Sequence, residues 1–156
     1  MTLSASRWHV IAESHFAWER EALEWLRAHL PDRDPWHAWT NFEFIDDEGK
    51  VNEVDALVLS PAGLFLVEIK SRPGVLRGDV HSWTWTTDGR TFTYDNPLIL
   101  ANRKSKRLAS LLRHQPAIKK AKIRLPFVEP AIFLSSSSLA CQLEGLAKSA
   151  TFQHGR

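Results

Sequence analysis

The chain has 156 residues, 44% hydrophobic and 24% charged, a composition that argues against disorder and suits one domain with a real core. Its net charge of +2 is too small to argue for a polyanionic partner on global grounds, so that argument rests on local clusters. A single cysteine, Cys141, excludes an internal disulfide and fits a reducing cytoplasm, and the chain has neither an 18-residue apolar run nor a signal peptide, so no membrane role is expected.

In chain order, Phe16, Leu23, Leu26 and Leu30 recur at helical spacing and predict a helix from about Glu13 to Leu30, ended by Pro31. Glu19 falls near the inward stripe beside Trp18 and Leu23; it is either a solvated helix glutamate or an acid aimed at the interior. Residues Trp36 to Ile45 alternate as a strand, with Trp39, Asn41 and Glu43 on one side and Thr40, Phe42 and Phe44 on the other. Asp46-Asp47-Glu48-Gly49-Lys50 reads as a solvated polar turn, since its spacing lacks the alternating oxygen ligands of a calcium loop.

Asn52 to Ser71, NEVDALVLSPAGLFLVEIKS, is the most informative stretch. Two apolar segments flank a Ser60-Pro61-Ala62-Gly63 turn, yet they carry Glu53, Asp55, Glu68 and Lys70. An unpaired charge in such a segment costs several kcal/mol, so these four residues need an explanation. With Pro61-Ala62 as a two-residue loop, Ser60 faces Gly63, Asp55 faces Glu68 and Glu53 faces Lys70. Directly opposed Cβ atoms lie about 4.5–5.5 Å apart, where two carboxylates repel unless a cation sits between them. All-oxygen ligands suit Mg²⁺ or Mn²⁺. Lys70, on the same face as Glu68, would orient a water or stabilise developing phosphorane charge. A three-residue loop closed by Gly63 suits the same residues and would send the two acids to opposite faces. A purely structural reading also stands, with Glu53 and Lys70 as a cross-strand ion pair.

Beyond Ser71-Arg72-Pro73-Gly74, short antiparallel strands are predicted from Val75 to Tyr94, with Thr87-Asp88-Gly89-Arg90 as a hairpin turn. Trp83, Trp85, Phe92 and Tyr94 form a cross-strand aromatic cluster packed on the core sheet, or one of the two tryptophans stacks on an unpaired base. Asn96 is a helix N-cap with Pro97 at the first helical position, and Leu98, Ala101, Ser105, Leu108 and Leu112 make the inward stripe. Arg103, Lys104, Lys106, Arg107 and Arg113 point mostly outward. With Lys119, Lys120, Lys122 and Arg124 they give nine positive charges between 103 and 124 and no acid. One-sided charge of this kind suits phosphate backbones or an acidic partner. Phe127 to Leu134 reads as a buried strand that Pro130 should confine to an edge or bend. Ser135 to Ser138 is a loop, and Cys141 to Lys148 reads as a short amphipathic helix in which the cysteine packs.

Asp55, a turn, then Glu68-Ile69-Lys70 resembles the PD-(D/E)xK nuclease signature. The wider pattern, NEVDALVLSPAGLFLVEIKSRPG with Trp83-Thr84-Trp85 and Asn96-Pro97-Leu98, is similar to the nuclease-related domain, NERD, over roughly Phe16 to Leu112. The resemblance implies a restriction-endonuclease-like αβββαβ core, a central mixed sheet flanked by helices. It implies that Asp55, Glu68 and the Ile69 carbonyl bind Mg²⁺ or Mn²⁺, that Lys70 positions the attacking water, and that Glu19 assists from the first helix. DNA is the implied substrate. This flavour of domain also resembles the N-terminal module of large bacterial phage-defence kinases of the phage-growth-limitation type. The chain is then expected to be one domain over 1–156, a fragment of a longer protein, with other phage-defence proteins as partners. One position departs from the family: where NERD domains continue Asn-Pro-x-x-Gln, this chain has Leu100. The competing functions are a metal-dependent phosphodiesterase, an inactive nuclease-fold module that binds DNA or a partner and regulates an attached kinase, and a pure protein adaptor.

Overall fold

The computed structural model describes residues 2–144 and 151–154. The order of elements is β1 (Trp8–Val10), α1 (Ala17–His29), β2 (His37–Ile45), β3 (Val51–Ser60), β4 (Gly63–Lys70), β5 (Gly74–Gly78), β6 (Ser82–Thr87), β7 (Arg90–Asp95), α2 (Pro97–Arg113), α3 (Pro116–Ala121), β8 (Val128–Leu134), β9 (Leu139–Leu143) and β10 (Thr151–Gln153). The expected αβββαβ succession is present as α1-β2-β3-β4-α2-β8. A six-stranded mixed sheet runs β1-β2-β3-β4-β8-β10, and a second sheet of four strands runs β7-β6-β5-β9.

Alternation along the central strands assigns a helix to each face. Ala56, Val58, Val67 and Ile69 share a core with Ala22, Leu23 and Leu26 of α1. Leu57, Leu64 and Leu66, from the intervening positions, pack with Leu108 of α2. The α2 helix starts where its sequence dictates: the Asn96 side chain accepts from the Leu98 N–H at 2.9 Å and Pro97 follows. The small sheet closes over the end of the large one, with Leu76, Trp83 and Trp85 in one core with Ile132 and Leu134 of β8 and Ala101 of α2. Gly74 makes that sheet's close approach feasible. Its φ is +110°, and a Cβ there would lie 2.2 Å from the Thr86 carbonyl oxygen, a contact only glycine avoids.

Several sequence expectations need correction. The first helix begins at Ala17 rather than Glu13, and Phe16 is exposed just before it. The strand β1 was not expected; its three residues lack a readable pattern and are recruited by parallel pairing to β2, Trp8 against Ala38. Pro130 does not place β8 at an edge. The strand lies between β4 and β10, but β10 pairs only with Ile132, Phe133 and Leu134, so the missing N–H of Pro130 falls where no strand covers it. Cys141 lies in a strand, not a helix, because β9 pairs in parallel with β5; residues 145–148 of the expected helix lie outside the described residues.

Candidate metal and nucleic-acid site

The turn between β3 and β4 is the two-residue form: Ser60 pairs with Gly63, and the register continues through Ala56 opposite Val67. The Ser60 hydroxyl accepts from the Ala62 N–H at 3.1 Å and donates to the Gly63 carbonyl at 3.2 Å. Continued by one step, this register brings Asp55 opposite Glu68, but the ladder stops there. The other side of β3 is interrupted at the same level. Thr40 pairs with Ala56 and Phe42 with Val54, while the Asn41–Asp55 pair between them is missing. Asn41 has a φ of +54°, a left-handed backbone, and its side chain reaches away to the Ala12 carbonyl at 3.2 Å. The alternation of β3 also changes here, since Ala56 and Val58 face α1 whereas Val54 joins the α2 side.

This break frees the Asp55 carboxylate from the ordinary pleat. Its Oδ2 accepts from the Ile69 N–H at 2.8 Å, so an acid side chain takes a donor on β4. Glu68 follows Leu64 and Leu66 on the α2 side of β4. There its Oε1 meets the Lys104 ammonium at 2.5 Å, with both side chains mostly shielded from solvent. Lys104 also donates to the Glu53 backbone carbonyl at 2.6 Å. Glu19, from the first turn of α1, is 8% exposed and continues the buried stripe of Ala22, Leu23 and Leu26 toward the same end of the sheet.

The electrostatics register this convergence. Burial, then the adjacent Glu68 charge, push the Asp55 carboxyl up to about 6; Glu19 adds to the rise, and the Ile69 N–H and the Lys104 ammonium oppose it. Three acids thus share one region with one ammonium, and a carboxylate whose ionisation is resisted by its neighbours gains most from a cation. Among the described residues, no three acid, histidine or cysteine side chains stand together as a ready-made metal cage. The donor set present is two carboxylates, Asp55, bonded to the Ile69 N–H, and Glu68. It fits a hard divalent ion that keeps several waters, as Mg²⁺ does on one or two carboxylates.

The remaining expected site residues are placed as follows. Lys70 shares the face of Glu68, two residues on, and makes no side-chain hydrogen bond or ion pair among the described residues. The Glu53–Lys70 pair does not form; the Glu53 side chain is exposed, and the residue opposite it on β2 is Glu43. Arg103, Lys106 and Arg113 are exposed on α2. Lys104 and Arg107 are not outward. Lys104 turns into the carboxylates, and Arg107 approaches Asp46 at 3.6 Å and Asn52 Oδ1 at 3.4 Å. The signal for Lys104 was in the sequence, since Ala101, Lys104, Ser105 and Leu108 lie on one helical stripe. The Asp46 turn is not simply solvated either: Asp46 is buried and accepts from the Glu48 and Lys50 N–H groups and the Asn52 amide.

Residues 14–135 match the model of the nuclease-related domain. The chain belongs to the nuclease-related domain family. It is also similar to a protein described as "Probable kinase PglW" from Streptomyces coelicolor, strain A3(2), with 44% identity over 138 residues that make up 88% of this chain and 8% of that protein. The chain therefore spans less than a tenth of the length of this curated relative. No solved structure matches. For a nuclease-related domain, the mixed sheet between α1 and α2 is the expected architecture. No helix among the described residues is long and apolar enough to cross a membrane.

Proposed function

We propose that this nuclease-related domain is a Mg²⁺- or Mn²⁺-dependent phosphodiesterase module that acts on DNA, working in bacterial phage defence as part of a larger cytoplasmic kinase. The observation that carries the reading is the interruption of both β3 ladders at Asp55, which aims its carboxylate at Ile69 beside Glu68 and within the field of Glu19. Regular strands have no use for such a break, and the acids gathered there raise one another's cost of ionisation. Asp55, Glu68 and the Ile69 carbonyl would hold the ion, which supplies Lewis-acid stabilisation of phosphate charge and a more acidic bound water. Lys70, on the Glu68 face and without a side-chain partner among the described residues, orients the attacking water and faces the charge that develops as a P–O bond breaks. Glu19, buried on α1 and within the field of Asp55, would assist as the acceptor of that water's proton. Arg103, Lys106 and Arg113 offer exposed charge to the DNA backbone, so binding weakens as salt rises. The similarity to a probable kinase of far greater length supports a role within a larger assembly.

The decisive experiment incubates supercoiled plasmid with the protein and Mg²⁺ or Mn²⁺. Nicking by the wild type that is lost in Asp55→Asn and Lys70→Ala supports the reading; equal nicking by all three proteins sinks it.

A second reading is favoured by two particular residues. Lys104 already neutralises Glu68, and Leu100, 58% exposed, stands where the family has Gln. On this reading the domain is an inactive nuclease-fold module that binds DNA or a partner and regulates the attached kinase. Calorimetric titration with Mn²⁺ separates the two, because a module of this kind shows no Asp55-dependent metal binding.

A further inference from the structure

Beside the carboxylates, the end of β4 opens into a cleft of about 920 Å³, within the range of about 300–1,000 Å³ typical of ligand sites. It lies between the start of α2, the β6–β7 hairpin and the first turn of α1. We infer that this cleft holds a nucleotide of an unpaired nucleic-acid strand, its base on Trp18 and Tyr94 and its phosphates against Lys70, Arg72 and Arg103. The inference rests on the nuclease reading for the position of the reacting phosphate and names the substrate class that reading leaves open.

The lining combines two chemistries that duplex binding does not require together. Trp18 and Tyr94 present rings that are 41% and 45% exposed, with Ile99 and Leu100 also open to solvent. Stacked bases inside a duplex have no free face to offer such rings, whereas every unpaired base does. The expectation that Trp83 or Trp85 would stack on a base fails here, since both are buried in the core at 1% and 4% exposure. Tyr94, from the opposite strand, takes that place. Arg72 organises this wall: its Nη1 donates to the Tyr94 hydroxyl at 2.7 Å, and its guanidinium lies 5.1 Å from the Phe92 ring centroid and 5.5 Å from that of Tyr94. Such cation–π contacts fix the tyrosine ring while keeping the charge at the cleft. Lys70 and Arg103 make no side-chain hydrogen bond or ion pair among the described residues, so both cations are available to phosphate. Leu100 adds apolar wall. The strand's path is set by β4 itself, which carries Glu68 at the carboxylates and Lys70 in the cleft, two residues apart.

The test is fluorescence anisotropy of a labelled oligothymidylate, a matched RNA oligonucleotide and a DNA duplex of equal length, at low salt with EDTA. The single strand is expected to bind at least roughly fivefold tighter than the duplex, and Trp18→Ala and Tyr94→Ala each to weaken it by roughly fivefold or more. Trp18→Phe should restore most of that loss. The DNA and RNA arms tell which strand is preferred. Both rings are exposed enough that truncation leaves the core intact, and circular dichroism of each variant checks this. Equal or tighter duplex binding, or single-strand binding unchanged by both alanine variants, overturns the inference. Binding is read in EDTA and nicking with Mg²⁺ or Mn²⁺, so the two readouts are independent. A preference without any metal-dependent nicking would therefore defeat the nuclease reading alone, and nicking without the preference would defeat the cleft alone.

Discussion

Two aspartates nine residues apart, both shielded from solvent, meet opposite environments. Asp46, in the turn between β2 and β3, is ringed by donors: two backbone N–H groups, the Asn52 amide and the Arg107 guanidinium. The Asn52 bond first, then the Lys50 N–H, hold its carboxyl below the usual range. Asp55, in the middle of β3, has one donor in Ile69 and two acids, Glu68 and Glu19, and its carboxyl is pushed up to about 6. A structural carboxylate is surrounded by what its charge needs. A carboxylate kept for a ligand leaves part of that need unmet until the ligand arrives.

The largest expected effect tests the second half of that contrast. Asp55→Asn should lower metal-dependent nicking by about 100-fold or more, in line with removal of a group that stabilises transition-state charge. Asp46→Asn should leave the rate of the folded protein near wild type, as read by plasmid nicking under saturating Mn²⁺. If both variants lose activity equally while folded, the two aspartates do not divide the work in this way.

Stability should move the other way. Asp55 has a folded pKa of about 6 against an ordinary value of 3.8. Its contribution to stability is therefore complete below about pH 4 and lost as pH rises through about 6, a change of up to about 3 kcal/mol. In EDTA near neutral pH, Asp55→Asn should be more stable than wild type by about 1–3 kcal/mol in urea denaturation, and the gain should vanish near pH 4. Asp46 carries the opposite sign: its lowered pKa contributes stability above the ordinary carboxylate range that is lost as pH falls, so Asp46→Asn should melt several degrees lower near neutral pH and lose that deficit in acid.

Lys104 belongs to the Asp55 side of the contrast, as the ammonium on Glu68. Lys104→Met leaves Glu68 without its ammonium and should destabilise the metal-free domain by about 1–3 kcal/mol, because a shielded acid loses its partner. Mn²⁺ should then raise the melting temperature of this variant more than that of wild type. The smallest effect belongs to Arg107→Ala, whose partly exposed pair with Asp46 at 3.6 Å is worth about 0.2–1 kcal/mol.

What could be read from the letters alone was local. The Ser60-Pro61-Ala62-Gly63 turn limited the hairpin to two registers, the period-2 and helical patterns marked α1, β2, the β3–β4 and β6–β7 hairpins and α2, and Asn96-Pro97 started that last helix. Each depends on residues within one turn or one strand pair, where backbone sterics and side-chain spacing act directly. The assembly of the site did not have that character. Whether Lys104 meets Glu68 depends on how α2 is rotated against a sheet 36 residues away in sequence, and whether Trp83 or Tyr94 faces solvent depends on which side of the small sheet packs on β8 and α2. The interruption at Asp55 requires β2, β3 and β4 to lose their regular pairing at one level. Periodicity marked most of the helices and strands, because those preferences are short-ranged, but not β1 or β9, which pairing with β2 and β5 recruits. Only the tertiary structure decided which acids share a field and which cation answers them, because burial and proximity belong to the packed chain.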